Sequence, residues 1–466
     1  MSIYSYLTKR IKKGLFFPSH IRGNALPKEI KSLLKKKPGS WDLPDIPELI
    51  SPLRKDGIIA ISQEETAVKI GVKKCWYGVN GASGLIHAAI LSIAKEGENI
   101  LMPRNVHKSI LNACLIGKIN PIFFDVPFSF NEGHYLVNEI ISLKDAIDRI
   151  IQEGITISSV VLIHPTYHGY AGDIKAMVNC CHKRKLPVLV DEAHGSHFLF
   201  FKDIDLPLSA VNCGADLVVH SLHKSLNGLT QTAVLWGSGD LVDLAKVESN
   251  LQCLQTTSPN SLLLASCESA INEMIELKEN KKFKKRILKA REISSALKDK
   301  GLPIIPNQDP LKLIINTSHF LINGIDADKF FIRKGLIAEL PEPFCITFAL
   351  GFGSHFNLVN TLNSYWRNLL NEKQLKKETL TIIKPIINSF EMLEIPIHIA
   401  YNLEFELVSI ENSINRICSE FICPYPPGIP IFIPGERINK NKFNYLNNQC
   451  YLWRDSIETL IKVVKE

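Results

Sequence analysis

Between about residues 75 and 236, short apolar runs of strand length alternate with amphipathic runs of helix length, and most of the short runs are apolar without interruption. A strand that is apolar on both sides has to be covered on both faces, as the strands of a parallel sheet under helices are. Runs at 75–79, 99–102, 121–125, 159–163, 187–190, 217–220 and 233–236, with helical stretches at 84–95, 107–117, 142–153 and 174–185, predict a mostly parallel seven-stranded α/β sheet sandwiched by helices. In such sheets ligands gather beyond the carboxyl ends of the strands.

A charged, helix-prone segment follows at about 260–300, and a second, smaller α/β region begins near 310, where 311–316 and 345–350 have strand character. Residues 1–55 are rich in Lys and Pro, and the Pro-punctuated run from Trp41 to Pro52 cannot continue a regular helix or strand. This segment reads as an arm or lid packed on something else. The expected division is an N-terminal arm at 1–55, a large domain at 56–305 and a small C-terminal domain at 306–466.

The 466 residues, 45% hydrophobic and 22% charged, have an ordinary globular balance and can bury a large core. The net charge of +7 is spread thinly. Its clusters, such as Lys35-Lys36-Lys37 and the run 281–286, read as solvated helix ends or loops, which argues against a nucleic-acid partner. Eleven cysteines without a C-x-x-C pair form neither a disulfide framework nor a zinc signature, so no metal is expected. They fit small buried side chains in a reducing cytosol. No run near the start suits a signal peptide and no stretch of about 18 uncharged apolar residues occurs. A cytoplasmic protein without a membrane partner is therefore expected.

Polar clusters follow several of the expected strands. Asn80-Gly81-Ala82-Ser83-Gly84 lies between a strand and a helix, where glycines let the backbone approach an anion and free amides attract phosphate. A merely tight turn explains it equally well. Asp191-Glu192-Ala193-His194-Gly195 follows another strand. A carboxylate there suits the protonated ring nitrogen of a pyridoxal cofactor, although helix capping or metal binding also suits an Asp. Ser221-Leu222-His223-Lys224-Ser225 offers an amine for a Schiff base beside a hydroxyl and an imidazole for phosphate. A lone lysine in a loop is usually a surface charge. Here it comes after a glycine-rich turn and about 33 residues after a strand-end Asp, the order that pyridoxal phosphate (PLP) sites on such a sheet require. Arg104-Asn105-Val106-His107-Lys108-Ser109 provides an imidazole that could stack on the cofactor ring, or a helix-capping cluster.

These residues resemble the ornithine/lysine/arginine decarboxylase family of PLP fold type I, the bacterial basic amino acid decarboxylases. The matching stretches are 79–90 (VNGASGLIHAAI), 104–109 (RNVHKS), 164–169 (HPTYHG), 191–195 (DEAHG), 221–232 (SLHKSLNGLTQT), 254–259 (LQTTSP) and 424–436 (PYPPGIPIFIPGE). The resemblance implies Lys224 as the cofactor-bearing lysine, Asp191 as partner of the ring nitrogen and His107 as the ring-stacking group. It implies Ser83, Ser221 and His223 as phosphate ligands together with the backbone of Ala82 and Gly84. Ala193 would pack under the ring, with His194 near its phenolic oxygen. The turn Thr256–Ser258 would reach the phosphate of a neighbouring subunit, so at least a homodimer with shared sites is implied. Pro18-Ser19-His20-Ile21 stands where the family has Pro-Gly-His-Lys. The chain resembles the short members of the family, so rings of dimers are not implied.

The implied activity is decarboxylation of arginine or lysine, with ornithine behind them. A cationic substrate side chain needs an acidic partner, for which Glu339, Glu342 and Glu436 are candidates. The rivals are an aminotransferase or aldolase-type lyase on the same fold and a non-catalytic homologue. Aminotransferases usually hold the substrate carboxylate with an arginine of the small domain, which these blocks do not offer, and the presence of both Lys224 and Asp191 argues against loss of catalysis.

Overall fold

The computed structural model describes residues 3, 13–43, 57–201, 205–279, 282–353, 357–373, 376–384 and 387–465. Most of the Pro-punctuated run, 44–52, lies outside them.

The apolar runs form strands β1 (Lys74–Gly78), β2 (Asn99–Pro103), β3 (Asn120–Phe124), β4 (Ser159–Ile163), β5 (Val188–Asp191), β6 (Leu217–Ser221) and β7 (Ala233–Gly237). Every residue of β5, β6 and β7 is buried, as double coverage requires. The second region contributes β8 (Lys312–Asn316), β9 (Cys345–Ala349), β10 (Phe390–Met392), β11 (Phe405–Ser409) and β12 (Leu460–Val464).

The main sheet has eight strands, in the order β10-β3-β2-β4-β5-β6-β7-β1, one more than the sequence predicts. The extra strand, β10, comes from the C-terminal part and pairs antiparallel with β3. Its three residues are too few to show a period, and none is buried. Neighbours from β3 through β6 are parallel, whereas β7 runs antiparallel to both β6 and β1. The carboxyl ends of β1, β2, β4, β5 and β6 therefore share one edge. The segments leaving that edge begin at Val79, Arg104, His164, Glu192 and Leu222.

Helices cover both faces. In the helix Ile140–Gln152 the buried residues are Leu143, Ala146, Ile147 and Ile150, spaced for one face, while Lys144 and Asp145 face water. The helix Gly81–Ile93 is apolar nearly all round, because it lies under the sheet against Lys108–Gly117 and Leu244–Leu254. The expected helical segment at 260–300 is two helices, Ser261–Glu279 and Lys282–Asp299. β8 and β9 form the antiparallel centre of a second, four-stranded sheet, and β11 pairs with β12.

Below the strand ends lies a polar brace. Glu192 is fully buried; its carboxylate accepts from Ser209 Oγ at 2.5 Å and Ala210 N at 3.0 Å and lies 2.6 Å from His220 Nε2. Trp236 Nε1 donates to the other nitrogen of His220 at 2.9 Å. This network ties β5, β6 and β7 together one residue behind Asp191.

The N-terminal segment docks on the same edge. Ser19 N donates to His223 O at 2.9 Å, Asn227 N donates to Ser19 Oγ at 2.9 Å, and Ala349 N donates to Leu15 O at 2.8 Å. All eleven cysteines are free and most are buried. Among the described residues, no helix is long and apolar enough to cross a membrane.

Candidate active site

Seven of the residues singled out in the sequence line one cavity at the strand edge: Ala82, Ser83, His107, Asp191, Ala193, His194 and Lys224. Gly84 follows in the first turn of the helix Gly81–Ile93. Asn80, at the cap position of that helix, makes no side-chain capping bond, so the amides behind it keep donors for an anion. Ser221 Oγ lies 3.1 Å from Nδ1 of His223 at the end of β6.

Lys224 is held on one turn of helix after β6, where burial lowers its proton affinity and Asp191 and Glu339 partly restore it. An amine so placed has a larger neutral, nucleophilic fraction than a surface lysine. Its Nζ lies 3.0 Å from Nε2 of His194. Burial raises the Asp191 carboxyl above its usual range, against the pull of Lys224. One oxygen of Asp191 accepts from Ala193 N at 3.1 Å.

His107 precedes the helix Lys108–Gly117 with its Nδ1 facing Ser109, N at 3.1 Å and Oγ at 2.8 Å. Burial first, then Lys224 and Lys108, push it down to about 4; burial and Lys224 do the same to His223. Both imidazoles are neutral at pH 7.

Behind His107 stands Gly428, whose φ of +82° is strained for any residue with a side chain. A Cβ there would sit 2.7 Å from His107 Nε2. The 424–436 block reaches this position because Arg104 Nη1 and Nη2 donate to the carbonyls of Pro430 and Ile431 at 2.8 and 2.9 Å.

The three acidic candidates separate. Glu436 pairs with Arg104 at 3.3 Å and Lys442 at 3.5 Å and accepts from Ile433 N at 2.9 Å, so its charge is spent holding that block. It does not line the cofactor cavity. Glu339 accepts from the Tyr167 hydroxyl and from Phe17 N. Glu342 lines a second cavity, which shares Asn105, Ile163, Tyr167, Pro427 and Ile429 with the first. Its carboxylate faces His168 Nε2. Thr256 and Ser258 lie on an exposed turn and are not among the residues lining the cavity of their own chain.

Sequence reasoning missed Phe17, Tyr167 and Lys312. Tyr167 stacks tilted on His194, with ring centres 4.2 Å apart, and Lys312 Nζ lies 3.2 Å from His194 Nδ1. Tyr167 sat inside a block already singled out, but Lys312 carried no signal beyond a charge at the start of an apolar strand.

His134, His168, Glu342 and Cys345 bring donor atoms within 4.8 Å of one another, as a metal centre would. The rings of His134 and His168, however, are stacked 3.9 Å apart at 13°. An imidazole binds a metal in its ring plane, so two nearly parallel stacked rings cannot both aim at one ion. Glu342 and the Tyr170 hydroxyl, 3.1 Å from His134 Nε2, partner the rings instead.

The donor set fits PLP. A buried amine, a buried carboxylate and an uncapped helix start surround one cavity, and the buried Asn105 Oδ1 on its wall has no partner among the described residues.

Comparison with known proteins agrees with this geometry. Residues 4–305 match the family model of the Orn/Lys/Arg decarboxylase major domain, and residues 397–453 match that of the C-terminal domain. An arginine decarboxylase of Halalkalibacterium halodurans is 31% identical over 96% of this chain and 94% of its own. The constitutive lysine decarboxylase of Escherichia coli is 22% identical over 86% of this chain and 69% of its own. The solved structure of that enzyme superposes with a TM-score of 0.74 and 17% identity over 90% of this chain and 74% of that one. An SPT solved with PLP superposes with a TM-score of 0.58 and 15% identity over 77% of this chain and 86% of that one.

Proposed function

Because the chain belongs to the Orn/Lys/Arg decarboxylase family, a group of PLP-dependent carboxy-lyases acting on basic amino acids, we propose that its own substrate is arginine, with lysine as the second reading and ornithine behind both. Relatives aligned along nearly the whole chain and named arginine decarboxylase favour the first. The lysine decarboxylase similarity favours the second. The observation that carries the proposal is the shared wall between the cavity around Lys224 and a second cavity ending on the Glu342 carboxylate, where a cationic side chain would lodge.

In this reading Lys224 would carry the cofactor, Asp191 would partner its ring nitrogen, and His107 and Ala193 would pack against its ring. Ser83, Ser221, His223 and the backbone of Ala82 and Gly84 hold the phosphate, joined from a second subunit by Thr256 and Ser258. When bound, PLP supplies the electron sink for the pair left at the substrate α-carbon. The chain supplies orientation and electrostatics. Lys224 would hold the cofactor, and burial, by lowering the proton affinity of its amine, favours the neutral form able to bond to it. Ile163, Pro165, Pro427 and Ile429 wall the cavity with apolar surface, which strengthens the field of Asp191 on whatever charge forms there.

The proposal includes the division at 1–55, 56–305 and 306–466, at least a homodimer, and a cytoplasmic setting, which the free buried cysteines favour. Purified protein with PLP, given arginine, lysine or ornithine separately, tests the substrate. Agmatine from arginine as the fastest product supports the proposal, and faster release of cadaverine or putrescine transfers it to lysine or ornithine.

A further inference from the structure

Decarboxylation consumes a proton. The bond from the α-carbon to the carboxylate breaks, its electron pair stays on carbon, carbon dioxide leaves without a proton, and the α-carbon gains one. A closed site needs a route for that proton from water. His194 lies between two amines, with Lys224 Nζ 3.0 Å from Nε2 and Lys312 Nζ 3.2 Å from Nδ1. A neutral imidazole has one N–H and one lone pair. It therefore accepts from one lysine and donates to the other, which must be a free amine. Moving one proton across the ring exchanges which lysine is charged, with no heavy atom displaced.

We propose that Lys312 and His194 form the proton inlet of this site, Lys312 acting through His194 to recharge Lys224 after each turnover. The inference rests on the decarboxylase reading. Lys312 ammonium gives a proton to Nδ1, Nε2 gives its proton to Lys224, and water returns one to Lys312; before the next turnover the ring loses its Nδ1 proton to water and regains one at Nε2, which resets the tautomer without changing the net count. The balance is one bulk proton taken up per carbon dioxide released.

Lys312 is suited to this positioning role. It opens β8 and is 5% exposed, with its Nζ 4.2 Å from the Phe17 ring centre and 5.3 Å from that of Tyr167. The titratable groups facing it are Asp309, Glu339 and Lys224; those facing His194 are Lys224, Lys312, His107 and His223. Burial brings Lys312 down to about 8, so it exchanges protons near neutral pH. It also lines a groove of about 870 Å³ rimmed by exposed Asp205, Ser295 and Lys298. That groove shares no lining residue with the cofactor cavity.

Two substitutions separate relay from charge. Lys312→Arg keeps a positive charge that does not leave, and Lys312→Met removes it. Both should lower kcat about 10- to 100-fold with PLP still bound, and both should abolish the change in kcat around pH 8. In cofactor-free wild-type protein labelled with ¹⁵N-histidine, where Lys224 is the free amine of the 3.0 Å contact, the two His194 nitrogens should show shifts averaged between tautomers, and Lys312→Met should fix one tautomer. A wild-type pH profile in Lys312→Arg, or one fixed tautomer already present in the wild type, overturns the relay. If Lys312→Met does not fold, the wild-type spectrum and Lys312→Arg decide. Failure of the decarboxylase reading would show separately, as no carbon dioxide from wild-type protein, whereas the His194 spectrum needs no turnover.

Discussion

Asp191 ends β5, Lys224 sits on the helical turn that follows the neighbouring parallel strand β6, and each perturbs the proton affinity of the other: Lys224 lowers that of Asp191, and Asp191 raises that of Lys224. Substituting either should therefore act on the cofactor and the chemistry more than on the fold. Asp191→Ala is expected to retain some PLP and lose turnover by at least about 100-fold, because the ring nitrogen is no longer held protonated. Steady-state rates beside a cofactor titration check this, and near-normal kcat would remove Asp191 from that role.

Gly428→Ala should impair the site without unfolding the chain. The added methyl would meet His107 Nε2 at 2.7 Å from a backbone at φ +82°. A positive φ costs a non-glycine residue of the order of 1–3 kcal/mol, and His107 must shift. Weaker PLP binding and lower kcat are expected with little change in the far-ultraviolet circular dichroism.

Arg104 bridges the large sheet to the 424–436 block through two carbonyls and Glu436. Arg104→Met leaves the Glu436 carboxylate buried with Lys442, at 3.5 Å, as its remaining charged partner, so the cost stays below the about 3–5 kcal/mol of a buried pair broken with no second partner. A clear fall in thermal midpoint is expected. Adding Glu436→Leu should recover part of it, and an unchanged midpoint in Arg104→Met would refute the clamp.

His107 and His223 predict the acid limb of stability for the cofactor-free protein. Each is held down to about 4 in the fold, against about 6.5 when unfolded. Between those values the unfolded chain binds more protons, so stability rises with pH across the window and is lost as pH falls through it. From pH 7 to pH 5 the loss is about 2 kcal/mol per imidazole. Urea unfolding at the two values measures it, and His107→Asn should remove one share.

The large sheet was legible because burial on both faces writes itself as unbroken apolar runs; each expected strand of that sheet is present within about a residue of its place. β10 was not legible, since three half-exposed residues at a sheet edge have no period to detect. Lys224, Asp191 and His107 could be found because strand ends in such a sheet converge. Lys312 could not, because it arrives from a different sheet and its meeting with His194 depends on how the two sheets pack. Glu436 misled for a related reason: its carboxylate is consumed by Arg104, a partner more than 300 residues away.

Carbon dioxide release by the purified protein with PLP, from arginine, lysine and ornithine in turn, beside Lys224→Ala, tests the central claim most directly. The account predicts release from a basic amino acid by the wild type, fastest from arginine, with a visible absorbance band of the lysine-bound cofactor that Lys224→Ala abolishes along with turnover. Undiminished release by Lys224→Ala, or none from any of the three amino acids by a wild type that binds PLP, would contradict it.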